Sequence, residues 1–160
     1  MRYGNLSRSL HTPRAQEFSE KLESVGLMSG GKFEVFVAEV LRAQGYEATV
    51  LGGSGDQGVD IIAKPAASRG RIAIQCKNYR KPVGNKPVQE VYAGAKHHRC
   101  DDAWVVAPSV YTKGASELAR SVGVRLYDAE GIKEWILQID KAERAKQGDN
   151  GKSRELFCLL

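Results

Sequence analysis

Residues 52–65 read GGSGDQGVDIIAKP, and the fold turns on the residues after the last glycine. Gly53, Gly55 and Gly58 satisfy G-x-G-x-x-G, the spacing of a dinucleotide-binding turn. Such a turn needs its third glycine to open a helix, because the helix N-terminus holds the pyrophosphate. Here Gly58 is followed by VDIIA, which is rich in β-branched residues and stopped by Pro65, so no helix of useful length starts there. The acidic residue expected about 20 positions further on is missing as well, its place taken by CKNYRK. A P-loop fails too, since no Gly-Lys-Ser/Thr follows. The glycines instead make a tight link between strands, one that delivers Asp60 to a fixed place.

Working outward, YEATVL (46–51), VDIIA (59–63) and RIAIQCK (71–77) read as three strands, with 64–70 as a hairpin loop. On a two-residue period Val59, Ile61 and Ala63 share one face, and Asp60 and Ile62 the other. In the next strand Ile72, Ile74 and Cys76 share a face, leaving Gln75 and Lys77 together. Pairing the two strands brings Asp60, Gln75 and Lys77 to one side. An aspartate in an apolar strand is costly unless it meets a cation or hydrogen-bond donors. Two readings are open: a structural Asp60–Lys77 ion pair with Gln75 merely satisfied, or a site of chemistry. Asp56 reads as a turn residue bonding its own backbone rather than as a metal ligand.

The flanks supply helices. Thr12-Pro13 opens a short one carrying Phe18, Leu22 and Val25, with Gly26 behind. Phe33, Phe36, Val37, Val40 and Leu41 mark a second after Ser29-Gly30-Gly31, with Gly45 as its stop. VQEVYAGAKHH (88–98) follows Pro82 and Pro87 as a third, and DAWVVA (102–107) is a continuous apolar run suited to a strand buried on both faces. Thr112 caps a helix ending at Gly123, VRLY (124–127) is a short strand, and Asp128 caps a last helix through Ile139. The order is α-α-βββ-α-β-α-β-α, an α/β class with a meander first and parallel crossovers after it. Residues 1–27 are expected to be an N-terminal helical extension, 28–140 the functional domain, and 141–160 a polar, mobile tail ending in LFCLL.

The chain has 160 residues and a net charge of +5. Between Lys64 and Arg99 nine Lys/Arg face a single acid, Glu90, so the basic character belongs to one segment. A polyanion such as nucleic acid is the natural partner for it. No apolar run approaches the roughly 20 residues of a membrane span. The start, MRYGNLSRSLHTPR, has no secretory hydrophobic stretch. Cys158 stands third from the end, where a prenylation box needs it fourth. Three scattered cysteines with no C-x-x-C pair point to reduced thiols and a cytoplasmic location. No Cys/His spacing suggests zinc, and His97 and His98, at a helix end, read as solvated side chains.

Asp60, fourteen intervening residues and Gln75-Cys76-Lys77 resemble the PD-(D/E)xK nuclease motif in its Q-x-K form. In particular the chain resembles the catalytic domain of Mrr-type restriction endonucleases. Phe33-Glu34 near a helix start, Gly45-Tyr46 before a strand, Gly55 to Asp60, Gln75 to Lys77 and the stretch from Ala103 to Asp128 share that family's order. The likeness spans residues 28 to 137.

The resemblance implies a restriction-endonuclease-like core, a central mixed β-sheet flanked by helices, and a metal-dependent endonuclease acting on DNA. It implies Mg²⁺ or Mn²⁺ as cofactor, with Asp60 as principal ligand, the Gln75 amide oxygen and the Cys76 backbone carbonyl as further ligands, and Lys77 orienting the attacking water. Gln75 replaces the usual acid and removes one negative charge, so another acid is wanted. Glu34 lies about 90° from the centre of its helix's apolar stripe, at the edge of a cleft, and is the candidate for both metal binding and catalysis. Tyr79, Arg80, Lys81, Lys86 and Gln89 are expected to contact nucleic acid. Such enzymes commonly act as homodimers. The 27 residues ahead of the domain are too few for a winged helix, so specificity is expected to be low, read from shape, or supplied by a partner. A non-catalytic nucleic-acid-binding module of the same fold, and a nuclease for branched DNA or RNA, are the competing readings.

Overall fold

The computed structural model describes residues 10–52 and 57–157, with side chains to residue 147. Its elements are α1 (Pro13–Glu23), a 3₁₀ turn (Val25–Leu27), α2 (Gly30–Ala43), β1 (Tyr46–Val50), β2 (Ile61–Pro65) and β3 (Ile72–Cys76). After these come α3 (Asn85–His97), β4 (Asp102–Val106), α4 (Lys113–Val122), β5 (Arg125–Tyr127) and α5 (Ala129–Phe157). The strands form one five-stranded sheet in the order β1-β2-β3-β4-β5. β1, β2 and β3 pair antiparallel, whereas β3, β4 and β5 pair parallel. The sheet is therefore mixed, with helices on both faces, as the strand-then-crossover order predicts.

Alternation along the strands divides the core in two. Ile61, Ile72, Ile74, Trp104 and Val106 point to α1, α2 and α5, while Ala73, Ala103 and Val105 point to α3 and α4. Trp104 stacks within a ring group with Tyr127 and Trp135, at centroid separations of 4.9 and 6.0 Å. The apolar run of β4 is explained by this arrangement, since both of its faces are covered.

Several boundaries differ from the sequence expectation. α3 begins at Asn85, ahead of Pro87, which fits in the first turn because no backbone N–H is required there. β2 begins at Ile61 rather than Val59, and Pro65 is its last residue. α5 does not end near residue 140 but runs to Phe157, and Lys141–Gln147 (KAERAKQ) is made of strong helix formers. The LFCLL end falls largely outside the described residues.

Residues 10–27 share the main core, with Leu10, Phe18, Leu22 and Val25 buried against α2 and α5. A buried carboxylate locks them there. Asp140 on α5 accepts hydrogen bonds from the backbone N–H groups of His11 and Thr12, both at 2.8 Å. Burial pushes the Asp140 carboxyl up, but these N–H donors outweigh it and hold it below its ordinary value of 3.8. A carboxyl lowered in the folded state stabilises the fold above its unfolded pKa, and that stability is lost as pH falls through the folded value. Asp140→Ala leaves the two N–H groups without an acceptor, an expected cost of about 1–3 kcal/mol. Thermal melts against pH check it, because the gap between wild type and variant should close at strongly acid pH.

Candidate active site

The site forms where β2 starts and β3 ends, which antiparallel pairing places at the same end of the sheet. Ile61 and Ala63 belong to the α2 side of the core, yet Val59 belongs to the α3 side. Residues two apart in a regular strand share a face, so the alternation breaks between Val59 and Ile61. That corrects the expected placing of Val59 with Ile61 and Ala63. The break is at Asp60, whose backbone stays tied into the sheet: its N–H donates to Ile74 O at 2.8 Å, and its carbonyl accepts from Leu51 N at 2.7 Å.

Glycines make the break. Gly58 adopts φ +76°, a conformation that side chains rarely take, and Gln57 before it has φ +53°. The turn they form lies directly on α3, where Gly94 leaves a notch for it. A Cβ on Gly94 would lie 2.5 Å from Val59 Cγ2 and against the Gln57 carbonyl oxygen. Asp56 and the glycines at 53 and 55 lie outside the described residues, so the turn role expected of Asp56 rests on sequence.

Asp60 is 8% exposed and Gln75 2%. Asp60 Oδ2 accepts hydrogen bonds from Gln75 Nε2 at 2.5 Å and from the Cys76 backbone N–H at 2.6 Å. Asp60 and Gln75 thus converge as the hairpin predicts. Lys77 is next in the chain, half-buried, its N–H bonded to Val106 O at 2.9 Å. No ion pair found among the described residues includes Lys77, so hydrogen bonds hold the aspartate where an ion pair was one expectation.

The Cys76 thiol registers the surrounding charges. Burial pushes it well above its ordinary range, Asp60 and then Glu34 push it further, and Lys77 opposes them. Glu34, half-buried on the second turn of α2, is therefore within electrostatic reach of Cys76 together with Asp60 and Lys77.

One polar atom at the site has no partner. Gln75 Oε1 is buried and makes no hydrogen bond among the described residues. Leaving such an acceptor unsatisfied costs about 1–3 kcal/mol, and beside a carboxylate it fits a hard cation, which takes oxygen ligands. No group of three His, Cys, Asp or Glu suited to a metal occurs among the described residues. The oxygens gathered here are of another kind, one buried carboxylate and one amide oxygen, with Glu34 within electrostatic reach.

The residues expected to contact nucleic acid spread along the chain after β3. Tyr79 is 51% exposed, and Lys81 and Gln89 are exposed. Arg80 donates from Nη2 to Gly26 O at 3.2 Å, and Lys86 pairs with Glu90 at 3.6 Å. The basic segment is not one patch in space. Lys77, Arg80, Lys81 and Lys86 lie beyond the C-terminal end of β3, whereas Arg71 lies at its other end, bonded to Asp101 and to His98 O. Asn78 was not anticipated. Its Nδ2 donates to Val25 O at 3.0 Å and Met28 O at 2.8 Å, tying the end of β3 to the turn that leads into α2.

The family model for Mrr_cat, restriction endonuclease, matches residues 10–136. The chain is 27% identical over 140 residues to the type IV methyl-directed restriction enzyme EcoKMrr of Escherichia coli (strain K12). That match covers 83% of the chain and 46% of EcoKMrr, so the chain spans about half the length of this curated relative. Among solved structures it is similar to the DNA modification-dependent restriction endonuclease AspBHI, with a TM-score of 0.57 at 18% identity over 91% of this chain and 43% of that one. It is also similar to the MspJI restriction endonuclease in complex with a 27-mer oligonucleotide, with a TM-score of 0.51 at 16% identity over 81% of this chain and 33% of that one. These two likenesses show the fold, a restriction-endonuclease-like core. With the family model covering most of its length, the chain belongs to the Mrr_cat restriction endonuclease family.

Proposed function

We propose that this protein is a metal-dependent endonuclease that hydrolyses phosphodiester bonds in DNA. The observation that carries the reading is the buried Asp60–Gln75 pair with its unpartnered Gln75 Oε1, set beside Lys77 in a chain of this family. Asp60, the Gln75 amide oxygen, the Cys76 backbone carbonyl and Glu34 would hold Mg²⁺ or Mn²⁺. When bound, the cation would supply polarisation of the phosphate and a lowered pKa for the attacking water. Glu34 restores the negative charge that Gln75 lacks relative to an acid at that position. Lys77 orients the water and offsets charge developing on the phosphate. The Cys76 N–H and Gln75 Nε2 hold the Asp60 carboxylate in one orientation, and the close packing of Gly58 on Glu90 and of Gln57 and Val59 on Gly94 keeps its backbone from drifting. A homodimer would present two such sites to the two strands. No described helix is long and apolar enough to cross a membrane.

The test is supercoiled plasmid incubated with the protein in Mg²⁺ or Mn²⁺. Nicked and linear forms should appear, and a chelator should abolish them. Single-stranded DNA, branched DNA and RNA run in parallel separate the substrate classes. Binding without cleavage of any of them in either metal would leave a nucleic-acid-binding module instead.

A further inference from the structure

Three segments meet beside Lys77 to form a groove of about 450 Å³ that the hydrolytic chemistry does not use. One wall is Glu23, Val25 and Gly26, the second is Asn78, Tyr79, Arg80 and Pro82, and the third is Pro108, Ser109 and Val110. The volume lies within the roughly 300–1,000 Å³ of small-ligand pockets.

The groove is built rather than incidental. Asn78 and Arg80 both donate to carbonyls of the first wall. Ser109 Oγ donates to Lys81 O at 2.9 Å, and Val83 N donates to Val110 O at 2.9 Å. All three walls are thereby fastened to one another, with the groove held open between them.

Its lining mixes apolar and polar groups, with Glu23 and Arg80 among them. Tyr79 and Val110 are among the few large hydrophobic residues left exposed, at 51% and 43%, and Leu27, 86% exposed, projects from the turn that forms the first wall. Pro82 and Pro108 add flat apolar surface. Arg80 lines the groove together with the acid Glu23, and Lys77 and Lys81 are chain neighbours of its lining residues. An exposed aromatic ring among cations is the arrangement that stacks a base while the charges track the phosphates.

Resting on the nuclease reading, we propose that this groove receives an unstacked base of the DNA strand being cut, with Tyr79 as its stacking platform. Tyr79 lies two residues beyond Lys77, no more than about 7 Å along the chain, so the base belongs to a nucleotide at or beside the cleaved phosphate. Arg80 is engaged in holding the first wall and Lys86 pairs with Glu90, which leaves Lys81 to the phosphates. An intact duplex must unstack to fill the groove, whereas an extrahelical nucleotide enters at less cost. The consequence is a preference for DNA carrying an unpaired nucleotide at the cleavage position.

The test uses the full chain with calcium in place of magnesium, and duplexes carrying 2-aminopurine either paired or as a one-nucleotide bulge. The bulged duplex should bind about tenfold more tightly than the paired one, the scale of one base–aromatic stack, with its fluorescence quenched. Tyr79→Ala should lose both preference and quenching, and Tyr79→Phe should keep them. Val110→Asp, at a position 43% exposed, should lose the preference as well. Equal affinity for paired and bulged duplexes, or a preference unchanged in Tyr79→Ala and Val110→Asp, overturns the proposal. Metal-dependent plasmid cleavage with no Tyr79 effect would sink the groove and leave the nuclease. A Tyr79-dependent preference without cleavage in any metal would keep base binding in the groove and overturn the nuclease reading together with the base's place beside a cleaved phosphate.

Discussion

Gln75→Glu is expected to make the fold dependent on divalent cations. In the wild type, Gln75 Nε2 donates to Asp60 Oδ2 at 2.5 Å, inside a site where both residues are almost fully buried. An ionised glutamate cannot donate that bond and sets a second carboxylate against the first. Two carboxylates in contact do not both stay ionised, and the pKa of one rises strongly. A rise of about three units costs about 4 kcal/mol at neutral pH. A carboxyl raised in the folded state costs stability above that raised pKa, and stability returns as pH falls through it. A divalent cation offsets the same repulsion. Melting temperatures in chelator should therefore fall well below wild type near neutral pH, recover on mild acidification, and recover again with Mg²⁺ or Mn²⁺. A variant melting like wild type in chelator at neutral pH would mean that the two side chains do not share a site.

Gly94→Ala is the second large effect, at a position that carries no chemistry. The added methyl would lie 2.5 Å from Val59 Cγ2 and against the Gln57 carbonyl, and that carbonyl is backbone with little room to move. From the opposite side Gly58 meets α3 equally closely, its missing Cβ 2.7 Å from Glu90 Cβ. The turn and the helix approach through two glycines, one on each surface. Overpacking there costs about 1–3 kcal/mol and pushes the turn away from α3, carrying Asp60 with it. A shift of about 1 Å in a catalytic group lowers rate about 100-fold, so cleavage should fall far more than stability does. Gly31→Ala is the control. Gly31 lies on α2 with nothing within 4 Å of an added Cβ, and its replacement should be neutral or slightly stabilising.

The features behind these two effects differ in how visible they are in the sequence. The meeting of Asp60 with Gln75 is readable there, because the period of a strand and the shortness of a hairpin fix which side chains share a side. The break at Asp60 is not, because it depends on Gly94, thirty-four residues on and reached only through the β3–α3 crossover. The Cys76 N–H that orients Asp60 is a backbone group, and sequence patterns record side chains alone. The basic segment looks single because it is contiguous in sequence. In space β3 separates its parts, since five residues at about 3.3 Å each hold Arg71 and Lys77 roughly 16 Å or more apart. Asn78 gives one signal, an amide directly after Gln-Cys-Lys, but its partners Val25 and Met28 belong to a turn some fifty residues earlier. The length of α5 escapes for a different reason. Its last turns carry no apolar stripe, and helix propensity in KAERAKQ is the remaining cue.

The most direct test of the central claim is to measure metal binding and plasmid cleavage together in Asp60→Ala and Lys77→Ala, with folding monitored by circular dichroism. Asp60→Ala should lose both, because the principal ligand is gone. Lys77→Ala should still bind Mn²⁺ and lose cleavage by about 100-fold or more, the scale of a removed transition-state contact. Cleavage at the wild-type rate by either folded variant would contradict the account.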